Sequence, residues 1–194
     1  MTVNACTGWD NTACEGSEHC PPRCPRFIGD EGMAVLIRPY RSEQDDALRA
    51  MYETIETSTM GLPPKRRSER EQWLRRLMTE GWNLVATVGN QVVGHVAVVP
   101  FDATDPEFVI FVHPEYQNRG IGTELLKHVI ARTDGRNHDM LTLNVSREHH
   151  QAITVYKKVG FSVTNVNQLN MQMKLQLEDG HVTAVEQPPA ARNS

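Results

Sequence analysis

The sequence predicts an α/β domain built on a mixed sheet, and three observations carry that expectation. Phe108–Val112 is an apolar run of strand length, halted by His113-Pro114, because proline lacks the amide that a ladder needs. It leads through Gln117-Asn-Arg-Gly120-Ile-Gly122 into helical spacing at Leu125, Leu126, Val129 and Ile130, and another strand follows at Met140–Val145. That order is a βαβ unit, whose crossover makes the two strands parallel. Trp82–Val88 and Gln91–Val99 are β-rich runs joined by Gly89-Asn90, a two-residue hairpin signal, so the sheet also has an antiparallel part.

The elements before and after follow the same logic. Met33–Arg38 alternates weakly and reads as an edge strand closed by Pro39. Ser42 is expected to cap a helix carrying Ala47, Leu48, Met51, Tyr52 and Ile55, with Glu43, Asp45 and Asp46 in the first turn, where the macrodipole favours acids. A loop from Thr57 to Lys65 precedes a helix opening at Ser68, bearing Trp73, Leu74, Leu77 and Met78 and ending at Gly81. From His149 a helix sets Ala152, Val155, Tyr156 and Val159 on one face and stops at Gly160. Phe161–Val166 and Gln168–Leu177 read as two closing antiparallel strands.

With 194 residues, one core is expected. Composition divides the chain into a Cys-rich segment at 1–31, a domain at 32–177 and a polar tail at 178–194. A formal charge of −4 without a long basic stripe argues against general attraction to nucleic acid or anionic membrane. No run reaches the roughly eighteen apolar residues of a membrane helix, and the first thirty residues lack a signal-peptide core. The expected compartment is the cytoplasm. Cys6, Cys14, Cys20 and Cys24 are separated by seven, five and three residues, so no C-x-x-C knuckle exists. Thiolates suit zinc, and His19 lies nearby, but the spacing is a poor match and the segment reads rather as a flexible or redox-active thiol stretch, so no metal site is assigned.

A glycine turn that opens a helix aims backbone amides at one point and so favours an anion. Two phosphate motifs are excluded: there is no G-x-x-x-x-G-K-[ST], and Leu125 stands where a dinucleotide fingerprint needs its third glycine. The succession HPEYQNRGIG, helix, LTLNV, AITVYKKVGF resembles the GCN5-related N-acetyltransferase (GNAT) family, whose acetyl-CoA loop has the form Q/R-x-x-G-x-G/A. The resemblance covers roughly residues 33–177 and is most specific over 108–161. It implies a mainly antiparallel mixed sheet with helices on both faces and a splayed parallel strand pair, with acetyl-CoA as co-substrate in the gap. Carried over, Ile110, Phe111 and Val112 would offer backbone groups to pantetheine, and Gln117, Asn118, Arg119, Gly120, Ile121, Gly122 and Thr123 would wrap the pyrophosphate.

The resemblance also implies direct transfer of an acetyl group to a primary amine of a small molecule or protein. Tyr156 would protonate the leaving CoA thiolate; on its own spacing it reads equally as a half-buried tyrosine on a helix face. Arg119 would pair with a phosphate or lie solvated in the loop, and Lys127 belongs to the solvent face. The strand before the last helix carries Asn144 where relatives acting on protein N-termini have a glutamate, so the base is not assigned. Glu107 and His95 are the alternatives. His149 replaces an asparagine that holds pantetheine in many relatives, and the 57–67 loop would border the acceptor. A homodimer is compatible with this reading. The competing class is a non-catalytic acyl-CoA-binding or regulatory module that uses the cysteine segment to engage a partner.

Overall fold

The computed structural model describes residues 20–55, 63–133, 136 and 138–186. Its core is an eight-stranded sheet in the order β1-β2-β3-β4-β5-β6-β8-β7. The strands are β1 (Arg26–Ile28), β2 (Ala34–Pro39), β3 (Trp82–Val88), β4 (Gln91–Val99), β5 (Glu107–Val112), β6 (Met140–Ser146), β7 (Ser162–Val166) and β8 (Asn170–Gln176). Every neighbouring pair is antiparallel except β5 and β6, which run parallel. The expected mixed, mainly antiparallel sheet is therefore present, including the hairpin at Gly89-Asn90.

Helices cover both faces. On one side α1 (Asp45–Glu53) and α2 (Arg67–Glu80) bury Leu48, Met51, Tyr52 and Leu74 against Val85, Val92 and Phe111. On the other, α3 (Ile121–Ala131) and α4 (His150–Val159) bury Ile121, Leu125, Ile153 and Tyr156 against Val96, Phe108, Leu141 and Met173. Burial of this kind stabilises by about 25 cal/mol per Å² of apolar surface removed from water, and it sets which side of each strand faces which helix. One local expectation is corrected: Ser42 makes no capping bond and opens a 3-10 turn, Ser42–Gln44, while α1 begins at Asp45. The turn is tied instead by the Gln44 side chain, whose Oε1 accepts from the Arg41 amide at 3.0 Å.

Parts of both terminal segments pack on the body that composition placed between 32 and 177. Strand β1 extends the sheet beside β2, and α5 (Asp179–Val185) lies on α3, with Val182 and Val185 against the core. Alternation alone could not reveal β1, because three residues carry too little pattern. The join is ionic: buried Arg23 donates from Nε and Nη2 to both carboxylate oxygens of buried Glu124 on α3, at 2.6 and 2.9 Å, and from Nη1 to the Val185 carbonyl. Cys24 is buried beside this pair and Cys20 is half-buried. Cys6, Cys14 and His19 lie outside the described residues, among which no group of three His, Cys, Asp or Glu side chains could hold a metal.

Arg23→Met should cost about 3–5 kcal/mol in urea denaturation, because it leaves the Glu124 carboxylate buried without its partner. The double variant Arg23→Met/Glu124→Leu should recover most of that loss.

Candidate active site

Strand β5 is paired to β4 along its whole length, but its ladder to β6 has one registered pair, Glu107↔Thr142. Beyond it the two parallel strands diverge, so the β5 edge from Phe108 to Val112 has no strand partner among the described residues. A cleft of about 620 Å³ fills the gap. One wall is Phe108–Val112, the other Leu143–Ser146, and the start of α4 with Tyr156 closes it. At its far end lies the turn into α3.

That turn has the shape an anion site needs. Asn118 takes φ +60° and Gly120 takes φ +81°, and the chain enters α3 with no side chain capping its first amides. A Cβ on Gly120 would stand 3.0 Å from Phe27 Cζ, so both the backbone angle and the β1 side chain demand glycine. Gly122 differs: its φ is ordinary, and a Cβ would meet Val112 at 3.6 Å, a normal contact. The fold itself does not require Gly122 to be glycine. Farther along, a Cβ on Gly94 would stand 2.9 Å from Leu125 and 3.1 Å from Ile121, so α3 sits unusually close to β4 and its N-terminus is held at the cleft.

Nearly all the residues singled out in the sequence meet here. Ile110, Phe111, Val112, Gln117, Asn118, Gly120, Ile121, Gly122, Thr123 and Tyr156 line the cleft, as does His149 at the start of α4. The Gln117 amide donates to the Val112 carbonyl at 3.2 Å, joining the turn to the open strand edge. Arg119 does not line it: the guanidinium lies 5.6 Å from the Tyr116 ring centroid and Nη1 is 3.8 Å from Met33 Sδ. Ile55 reaches the cleft from the end of α1; residues 56–62 of the adjoining loop lie outside the described residues. Arg66 and Arg67 pair with Glu69 and Glu71 along α2.

Tyr156 is buried against Phe108 and Phe161, at ring centroid distances of 6.0 and 5.9 Å, and burial pushes its hydroxyl up to about 12. Across the sheet, Asn144 donates from Nδ2 to Glu107 Oε1 at 3.0 Å. The other basic candidate is eliminated. His95 is fully buried, with Nδ1 2.7 Å from the Tyr52 hydroxyl and Nε2 3.0 Å from Asn83 Oδ1. Because the Asn83 amide nitrogen already donates to the Leu77 and Gly81 carbonyls, its oxygen can only accept; His95 therefore carries its proton on Nε2 and takes the tyrosine hydroxyl on Nδ1. Burial lowers this imidazole to about 3, and His95 is not among the residues that line the cleft.

A splayed parallel pair, a glycine turn at a helix start and a buried phenol meet in one cleft. Comparison with known proteins gives the family: the model of the acetyltransferase (GNAT) family matches residues 47–161, and the chain belongs to that family. It is an acetyl-CoA-dependent N-acetyltransferase. Among its relatives, the peptidyl-lysine N-acetyltransferase YjaB of Escherichia coli is 27% identical over 71% of this chain and 89% of that one. The L-amino acid N-acetyltransferase AaaT of the same species is 28% identical over 66% and 83%. The GNAT domain of PAT from S. lividans superposes with a TM-score of 0.68 at 18% identity, covering 78% of this chain and 96% of that domain.

Two outcomes test this geometry. Gly120→Ala should lower stability by about 1–3 kcal/mol in denaturant, while Gly122→Ala should be neutral or slightly stabilising. The second concerns His95, whose folded value lies below its ordinary one. The unfolded chain therefore binds the extra proton, and stability is lost as pH falls from about 6.5 towards 3. Between pH 7 and pH 4 this group should remove about 3 kcal/mol, a slope that His95→Gln should lessen.

Proposed function

We propose that the cleft seats acetyl-CoA with its pyrophosphate on residues 117–123 and its pantetheine arm along Ile110, Phe111 and Val112, and that an acceptor primary amine attacks the thioester directly. The observation that carries this reading is the open β5 edge running into an uncapped helix start. An extended arm with amide groups can take the place of the missing strand, and two phosphates suit unpaired amides at the positive end of a helix. The Arg119 backbone belongs to the turn, while its side chain braces Tyr116.

In the transfer, the amine nitrogen forms a bond to the acetyl carbon as the carbon–sulfur bond breaks. The sulfur leaves with its electron pair and takes the Tyr156 proton. With its value pushed up, Tyr156 stays protonated throughout the physiological range, and the same dry surroundings raise the proton affinity of a departing thiolate. The proton shed by the amine goes to Glu107, held in place by Asn144, directly or through water. Holding donor and amine together removes much of the entropic barrier.

The acceptor is a primary amine of a small molecule or a peptide. Among the described residues no helix is long and apolar enough to cross a membrane. Edge strand β7 exposes Val163 and Val166, which offers a second copy of the chain a pairing edge.

Calorimetry should show saturable acetyl-CoA binding; absence of binding at high micromolar ligand sinks the reading. Tyr156→Phe should lower kcat by about 10²–10⁴-fold with acetyl-CoA binding retained, and unchanged turnover would remove Tyr156 from the mechanism. Since the protonated phenol is the active form, titration of Tyr156 should cause no loss of rate between pH 7 and pH 10.

A further inference from the structure

Beside the cleft, a smaller hollow of about 200 Å³ is lined by Asn144, Asn165, Asn167, Asn170 and Gln172. Asn144 belongs to both cavities. The others stand on β8, on β7 and in the turn between them. On β6 and β8 the core-facing residues are Leu141, Leu143, Val145, Met173 and Leu175, so Asn144 and its register partner Gln172 point to the opposite face. Helices α1 and α2 cover that face over β3, β4 and β5, and among the described residues no helix covers it over β6, β8 and β7. The hollow thus opens on the Glu107–Asn144 side of the sheet, across from Tyr156.

We propose that this hollow is the acceptor subsite and that it takes an uncharged amide, so that the preferred acceptor is an α-amino amide or peptide amine whose nitrogen sits at Asn144 and Glu107. The proposal rests on the transferase reading above. Its first support is the lining, which consists of carboxamides alone. A carboxylate calls for a guanidinium or ammonium, and a polyamine calls for carboxylates; neither kind of charge lines the hollow. A carboxamide offers donors and an acceptor together and so complements another amide.

The second support is the direction of two of these groups. Asn167 Oδ1 accepts from the Leu169 and Asn170 amides at 3.0 and 2.7 Å, which identifies it as the oxygen and leaves Nδ2 as the donor available to a ligand carbonyl. Asn144 spends one Nδ2 hydrogen on Glu107 and keeps Oδ1 as an acceptor. A carbonyl and an N–H presented together match this pair. The volume, that of about seven water molecules, admits a group of one residue's size.

Alaninamide, alanine and 1,2-diaminopropane share one skeleton and differ in bearing an amide, a carboxylate or a second amine. With wild-type enzyme, kcat/KM for alaninamide should exceed that for the other two by about tenfold or more. Asn167→Asp keeps an oxygen for both backbone amides and replaces only the Nδ2 donor, so it should fold as wild type and lower kcat/KM for alaninamide by about tenfold with KM for acetyl-CoA unchanged. Equal or better turnover of alanine or the diamine, or an Asn167→Asp enzyme indistinguishable from wild type, overturns the subsite and leaves the transferase standing. If none of the three is acetylated by a protein that binds acetyl-CoA, the subsite and the proposed amine chemistry fall together.

Discussion

The close approach of α3 to the sheet is the constraint on which the rest depends. Only a residue without a side chain at position 94 lets Ile121 and Leu125 settle so near β4, and only a left-handed residue at 120 lets the chain enter the helix at that spot. With both conditions met, the first turn of α3 lines the same cleft as the open β5 edge. The parallel strand β6, reached through this helix, pairs with β5 once and then turns away to a full ladder with β8. A binding cleft is the geometric remainder of those two preferences.

The terminal segments brace the same helix from outside. Arg23 fastens to Glu124 one turn into α3 and to the carbonyl of Val185, while Phe27 packs over Gly120. Such a pair is a modest source of net stability, since desolvation offsets most of its attraction, but it is intolerant of losing one partner. Its consequence is geometric: the turn that faces the cleft cannot shift without disturbing β1.

The sheet also divides the chemistry. Its α3/α4 face carries Tyr156, buried among aromatics and held protonated; its other face carries Glu107, Asn144 and the carboxamides of the β7–β8 hairpin. The gap between β5 and β6 is where the two faces meet, and in the proposed reaction a donor thioester lying there receives an amine from one side and a proton from the other. His95, although on the acceptor face, is walled off by Tyr52 and Asn83 and serves the packing of α1.

Local pattern was enough to read the hairpin, the βαβ unit, the glycine turn and the apolar stripe containing Tyr156, because each depends on residues close in the chain. The donor side was legible for the same reason: strand edge, turn and helix start are consecutive. Chain neighbours could not disclose that Arg23 meets Glu124 across 101 positions, that β1 exists, or that the Arg119 guanidinium lies over the Tyr116 ring. Nor could they show that His95 is buried between Tyr52 and Asn83 while Glu107 is exposed. The proposed acceptor side is assembled from β5, β6 and a hairpin near the C-terminus, and only strand register brings Asn144 beside Gln172 and Glu107. Sequence by itself determined the strand, turn and helix of the proposed donor half because they are local; tertiary structure decided which residues face the proposed acceptor half because those residues share a face and not a segment.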